Sequence, residues 1–264
     1  MLERSYRKPR GYPGDYQTMV YCYENRPEGS SAFDQVFHKF FVEHPLAHGV
    51  RTRAAFVMNV IREEAKRLAG MGVGGNLRVT SLGCGPAYEV QNLAKSAEGW
   101  PGHMLWSLMD QEEEALLLAY QTGTHALANS ASKGSLECLH FSFAQFLMDP
   151  KVFPIQERQH LIYSVGFFDY VRERMGQGII HALYDRLEPG GVLLIGNARG
   201  PNRHFWSLEF LTDWTLLYRT EEAMRRLARK VPETAEISVE LESGEAYFFL
   251  SIRKPQTGHV FNEA

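Results

Sequence analysis

The sequence predicts an α/β protein: an open, mostly parallel seven-stranded sheet with a helical lid before it and an antiparallel hairpin at its end. Three observations carry that reading. From residue 79 to residue 196, short apolar runs alternate with helix-period segments, the order that produces parallel strands with helices on both faces. Residues 79–90, VTSLGCGPAYEV, read as a strand, a tight glycine turn and a helix. Residues 236–242 and 246–252 alternate with period two around Ser243-Gly244, as the arms of a hairpin do.

Bulk properties bound the alternatives. A chain of 264 residues can bury one full-sized core, so we expect a lid and helical segment over residues 1–75 and a core over 76–264, joined as one compact unit. Its 28 basic and 31 acidic residues give a formal charge of −3 without a basic cluster, which argues against nucleic-acid partners. Three cysteines, Cys22, Cys84 and Cys138, lack CxxC spacing and point to a reducing, cytoplasmic setting. No apolar run reaches the roughly 20 residues that span a bilayer. His44, His48, His160 and His204 do not form a full metal-ligand set in the sequence, so no metal is expected.

Residues 1–30 carry Arg7, Lys8 and Arg10, then the bend Gly11-Tyr12-Pro13-Gly14, then more tyrosines. A solvated leader is one reading. The tyrosines and the specific bend favour an ordered lid. Ser31 and Asp34 then resemble an N-cap and a first-turn acid, opening a helix on which Phe33, Val36, Phe37, Phe40 and Phe41 form an aromatic stripe, as core or as one wall of an apolar substrate channel. Pro45 opens a second helix to about residue 68, and residues 70–75 link it to the first strand.

In the turn, Gly83 and Gly85 let backbone amides approach a ligand, and the helix N-terminus beyond adds partial positive charge. Against the dinucleotide pattern GxGxxG, the third glycine position is Tyr88, which disfavours a nicotinamide cofactor. The second strand, residues 104–109, ends at Asp110-Gln111, where an acid beside the glycine turn can accept both ribose hydroxyls of an adenosine ligand. Residues 136–141 form the third strand, with Ser142 and Phe143 at its carboxyl end. Residues 160–165 form the fourth, leading into Gly166-Phe167-Phe168-Asp169-Tyr170. Ile179, Ile180, Leu183 and Leu187 mark the next helix, Pro189-Gly190-Gly191 turns the chain into a fifth strand at 192–196, and an aromatic insertion over 201–219 precedes a helix from 221 to about 230.

The glycine turn and the acid resemble the first two motifs of the class I S-adenosylmethionine (SAM) methyltransferases, which implies a Rossmann-like fold and SAM as cofactor. Ser81 stands where that family often has an acid, and Pro86 where it often has a third glycine. Taken together, RKPRGYPGDYQTM, SLGCGPAYEV, LMDQEEEAL, YSVGFFDY, LIGNARGPN and DWTLLYRTEEAM resemble the extracellular-factor 3-hydroxypalmitic acid methyl ester biosynthesis methyltransferases over nearly the whole chain. Members of that group can carry a regulatory domain ahead of the catalytic one, and none is expected here. The resemblance implies carboxyl O-methylation of a hydroxy fatty acid or a similar apolar acid.

On that basis the cofactor contacts fall on the turn residues Gly83, Cys84, Gly85 and Pro86, on Glu89 in the following helix, and on Asp110 and Gln111. Ser142, Phe143, Ser164 and Gly166 join them from the later strand ends, and Tyr16 from the lid. Methyl transfer is an in-line displacement that needs positioning in a dry site, and a carboxylate acceptor is ionised at neutral pH without a base. It needs instead a compensating cation, for which Arg199 and Arg203 after the fifth strand are the candidates, while Tyr12 offers an aromatic face to the sulfonium. The other readings are O- or N-methylation of a neutral metabolite, which requires a base, and a domain that binds SAM without catalysis.

Overall fold

The computed structural model describes residues 1–71, 76–202 and 204–256. The N-terminal segment is helical on both sides of the Gly11–Gly14 bend. Before it lies α1 (Leu2–Arg7), and after it α2 (Tyr16–Glu24), capped by Asp15, whose carboxylate accepts the Thr18 amide at 3.0 Å. A capping box between Ser31 and Asp34 starts α3 (Ala32–Val42), and Pro45 in the first turn starts α4 (Pro45–Gly70). Residues 72–75 of the expected linker lie outside the described residues.

The sheet domain runs β1 (Asn76–Leu82), α5 (Tyr88–Lys95), β2 (His103–Asp110), α6 (Glu113–Ala128), β3 (Lys133–His140), α7 (Phe143–Met148) and β4 (Gln159–Ser164). It continues through α8 (Glu173–Asp185), β5 (Leu187–Ala198), α9 (Trp206–Thr212), α10 (Glu221–Leu227), β6 (Glu236–Leu241) and β7 (Tyr247–Arg253). Strand order is β3-β2-β1-β4-β5-β7-β6, with β7 antiparallel to both neighbours. The order reverses between β1 and β4, so a crevice opens at their carboxyl ends.

Both faces of the sheet are covered, and the strand pleat divides the core in two. Along β4, Leu161 and Tyr163 pack with Val57 and Ile61 of α4, whereas Ile162 packs with Ile179, Ile180 and Leu183 of α8. Each such fully buried aliphatic side chain contributes about 1.5–3 kcal/mol. The short apolar runs of the sequence therefore read as strands buried on both faces.

The structure corrects three expectations. β5 begins at Leu187, which pairs with Gln159 and so leaves the preceding helix. The Pro-Gly-Gly step sits inside the strand, with a register shift opposite Gln159 and Leu161. A Cβ on Gly191 would stand 2.9 Å from the carbonyls of both Gln159 and Glu188, so only glycine lets the strands close there. β3 begins at Lys133, three residues early, because β2 pairs with it from His103 onward. Most of the aromatic stripe of α3 is not core: only Phe41 is buried, while Phe33, Val36, Phe37 and Phe40 are exposed, and Phe37 and Phe41 border a groove separate from the glycine turn. α3 seats through a narrower arc, His38, Phe41 and Val42, and its remaining aromatics pass beyond what α4 covers. Trp206 and Phe210 on α9 are exposed as well.

Candidate functional site

The site is built on the turn between β1 and α5. Gly83 and Gly85 adopt φ of 72° and 51°, which favour glycine. The Gly83 and Cys84 amides both donate to the Met109 carbonyl, at 2.9 and 3.0 Å, tying the turn to the end of β2. The Gly85 amide donates to Asp110 Oδ2 at 2.8 Å, and Asp110 Oδ1 accepts the Glu112 amide at 3.1 Å. The acid ending the second strand thus clamps the glycine turn. Burial pushes its pKa up, against the pull of these backbone donors. Among the described residues, no atom other than those of its chain neighbours lies within 4 Å of a Cβ built on Gly85, so the turn faces open space.

That space is a cleft of about 420 Å³, within the usual range for small-molecule sites. The turn forms its floor together with Gln111, Phe143 and, past the end of β4, Val165, Gly166 and Phe167. Tyr12, Gly14, Tyr16, Met19 and Tyr23 cover it from the N-terminal segment, which is therefore an ordered cover. The Tyr12 hydroxyl donates to Glu112, Arg10 pairs with Glu114, and Tyr16 donates to Glu114 at 3.3 Å. On the other side Lys8 pairs with Asp213 at 2.7 Å, and Gly14 lies so close to Trp214 that a Cβ would run into its ring. Trp214 in turn donates its indole N–H to the Tyr170 hydroxyl at 3.0 Å. Arg4 fixes the bend from beneath through the fully buried Asp15, with its Nε 2.8 Å from Oδ2.

Of the residues expected at a site, Tyr12, Tyr16, Gly83, Cys84, Gly85, Pro86, Asp110, Gln111, Phe143 and Gly166 line this cleft. Others do not. Glu89 is buried beneath the start of α5, where loss of solvent raises its carboxyl pKa from the ordinary 4.5 to about 7. Ser142 is spent on capping α7, accepting the Gln145 amide at 3.3 Å. Ser164 is fully buried and donates to the Leu82 carbonyl at 2.8 Å, cross-linking β4 to β1. Arg199 is half exposed, paired with Glu245 at 3.5 Å and set over the Phe248 ring, away from the cleft. The cause is local: the Arg199 amide donates to the Ala246 carbonyl, which directs the residue toward the β6–β7 hairpin. Arg203 lies outside the described residues.

Two charged residues reach the cleft that sequence reasoning did not assign. Asp169, in the short turn after β4, accepts the Ala198 amide at 2.7 Å, and burial raises its pKa to about 6 against the charges of Arg53 and Arg219. Arg53 projects from α4. A signal for it existed. It stands three residues after Val50 and four before Val57, inside the apolar stripe of its own helix.

No protein-family model and no curated protein sequence matches the chain. Solved structures do. A possible exported protein from Bordetella parapertussis is similar at 18% identity and a TM-score of 0.66, covering 91% of this chain and 79% of that one. Magnesium protoporphyrin IX methyltransferase ChlM from Synechocystis PCC 6803, with bound SAH, is similar at 13% identity and a TM-score of 0.57, covering 91% of this chain and 95% of that one. The SAM-dependent methyltransferase SibL in its apo form reaches a TM-score of 0.53 at 14% identity, covering 97% of this chain and 74% of that one. At these identities the likeness is one of fold. The chain has the Rossmann-like fold of class I SAM-dependent methyltransferases, with the mostly parallel sheet and C-terminal antiparallel hairpin that its sequence predicts.

Proposed function

We propose that the protein is a SAM-dependent methyltransferase acting on a small apolar carboxylic acid, for which a hydroxy fatty acid is the acceptor its sequence resemblance suggests. The observation that carries the cofactor reading is the Gly85 amide held by Asp110 at 2.8 Å on a turn with open space above it. Bare backbone at Gly83 and Gly85 suits the amino-acid part of SAM. Asp110 suits its ribose, and Gln111 and Phe143 its base. Bound SAM would supply a methyl group on a sulfonium, ready for displacement. Tyr12, Tyr16 and Tyr170 present aromatic faces that favour a cation, at about 0.5 to 2 kcal/mol each.

The acceptor reading rests on the remaining walls. Met19, Val50, Leu147, Val165, Trp214 and Leu216 are apolar, and each methylene that they bury adds about 0.8 kcal/mol. This inner wall, rather than the exposed aromatics of α3, is the acyl-chain surface. The lid excludes water, and the carboxylate oxygen attacks without prior proton removal. The spacing of the three cysteines supports a reducing, cytoplasmic setting. One observation favours a second reading: Asp169, ionised above about pH 6 in the cleft, is placed to take a proton from a neutral hydroxyl acceptor.

Incubation with labelled SAM, 3-hydroxyhexadecanoate and its amide-capped analogue separates the readings. A methyl ester from the free acid alone, at a rate flat from about pH 7 to 9, supports the carboxyl acceptor. Methylation of the amide-capped analogue, with a rate that rises through about pH 6 and is lost in Asp169→Asn, refutes it in favour of the hydroxyl. Binding without product leaves a SAM-sensing domain.

A further inference from the structure

Arg53 is the one lysine or arginine among the described residues that line the cleft, and the fold leaves it short of partners. It is only 6% exposed. Its guanidinium carbon lies 4.6 Å from the centre of the Tyr247 ring, Nη2 lies 3.4 Å from the Met19 sulfur, and Nε is buried with no hydrogen-bond partner. Among the described residues no carboxylate stands within ion-pair distance of it: Asp169 and Glu89 act on it only from farther off, as does the Tyr23 hydroxyl, and Asp169 gives Oδ1 to the Ala198 amide. An arginine stays charged and carries five donors. A ring face, a thioether and a phenol hydroxyl are poor substitutes for the water it has lost.

The surroundings show where a partner would come from. Nη2 and Nη1 lie 3.6 and 3.8 Å from where a Cβ of Gly166 would stand, so the open end of the guanidinium meets the bare backbone at the end of β4, on the cleft wall. α4 is held beside it: Arg51 Nη1 donates to the Cys22 carbonyl at 2.7 Å and the Val42 carbonyl at 2.9 Å, tying the helix to α2 and α3. A planar fork, fixed and desolvated, with donors turned to a ligand-sized space, matches a carboxylate in two parallel hydrogen bonds.

We propose that Arg53 is the carboxylate anchor of the cleft, holding either the acceptor acid or the amino-acid end of the cofactor in a two-pronged pair. The anchor rests on the methyltransferase reading above and replaces Arg199 as the compensating charge. It also explains an arginine inside the apolar stripe of α4, where it otherwise only destabilises the helix packing.

The test compares wild type, Arg53→Met and Arg53→Lys by calorimetry against three probes: S-adenosylhomocysteine, 5′-methylthioadenosine, which lacks the amino-acid end, and 3-hydroxyhexadecanoate. Thermal unfolding shows that each variant is folded. If the cofactor's carboxylate is held, Arg53→Met weakens S-adenosylhomocysteine about ten- to hundredfold and leaves methylthioadenosine unchanged. If the acceptor's is held, both nucleosides bind as in wild type and the hydroxy acid weakens by that factor. In either case Arg53→Lys recovers part of the loss, keeping the charge without the fork. Unchanged binding of all three probes overturns the anchor, and so does an equal loss for both nucleosides, which marks a packing role. Wild-type protein that binds neither nucleoside refutes the methyltransferase reading; the hydroxy acid then decides the anchor by itself, since Arg53→Met must still weaken it.

Discussion

Replacing Glu89 with glutamine separates a cofactor contact from a buried structural acid. Its carboxyl is 2% exposed, and burial raises its pKa from 4.5 to about 7 in the folded protein. Below pH 4.5 both folded and unfolded chains hold the proton, and the group contributes nothing to the pH dependence. As pH rises from 4.5 toward 7, the unfolded chain ionises while the folded one keeps its proton, so stability falls by about 1.36 kcal/mol per pH unit. The loss is complete above pH 7, at about 3 kcal/mol. Glutamine has the same shape and no charge to desolvate. Urea unfolding of both proteins at pH 5 and pH 8 should show Glu89→Gln gaining about 2 to 3 kcal/mol on wild type over that interval. Asp110 and Asp169, also raised by burial, remain in both proteins and cancel from the difference. SAM affinity at pH 8 should be unaltered, because Glu89 does not line the cleft. A difference that stays constant with pH refutes the buried-acid account, and a large loss of affinity restores the contact.

Gly85→Val should abolish SAM binding, since a branched side chain at φ 51° is strained and its Cβ enters the open space above the turn. Asp110→Ala should weaken binding by about 1 to 3 kcal/mol and loosen the turn that it clamps, and calorimetry showing wild-type affinity in both variants would remove the turn from the site. Deleting residues 1–14, which spares the Asp15 cap of α2, should cut turnover at least about tenfold while far-UV circular dichroism loses no more helix than the six residues of α1. Normal turnover would strip Tyr12 of its role.

The sheet was readable because its cues are local: β1, β2 and β4 are apolar runs followed or ended by a glycine or an acid, β6 and β7 alternate, and the long helices carry their own period. The first misreading came from pairing. Leu187 continues the helical period of Leu183, yet Gln159 captures it into β5. The α3 aromatics have a helical stripe of the right spacing, but periodicity marks a face without saying that a neighbour covers it. Arg199 failed differently. A strand end in sequence locates the backbone at the crevice, whereas the side chain follows Glu245 and Phe248, brought there by a hairpin some 46 residues on. Ser164 and Ser142 lie at the expected edge too, but their hydroxyls satisfy the protein's own backbone. Arg53 and Asp169 come from opposite sides of the glycine turn, more than a hundred positions apart in sequence, and only the fold brings them together.

The N-terminal cover also has a consequence for how the chain reaches its working form. Its polar partners stand 98, 100 and 205 residues downstream, at Glu114, Glu112 and Asp213. This segment, which precedes all of its partners in the chain, is therefore seated late, after β2 and α6 have emerged and after the chain beyond β5 has turned back toward the sheet. Until then Tyr12, Tyr16 and Tyr23 have no completed site to cover, and the apolar cleft is open to other chains and to chaperones. The slowest contacts to form are the ones that shut the active space, so folding intermediates with a native sheet should lack the cover and bind nothing tightly.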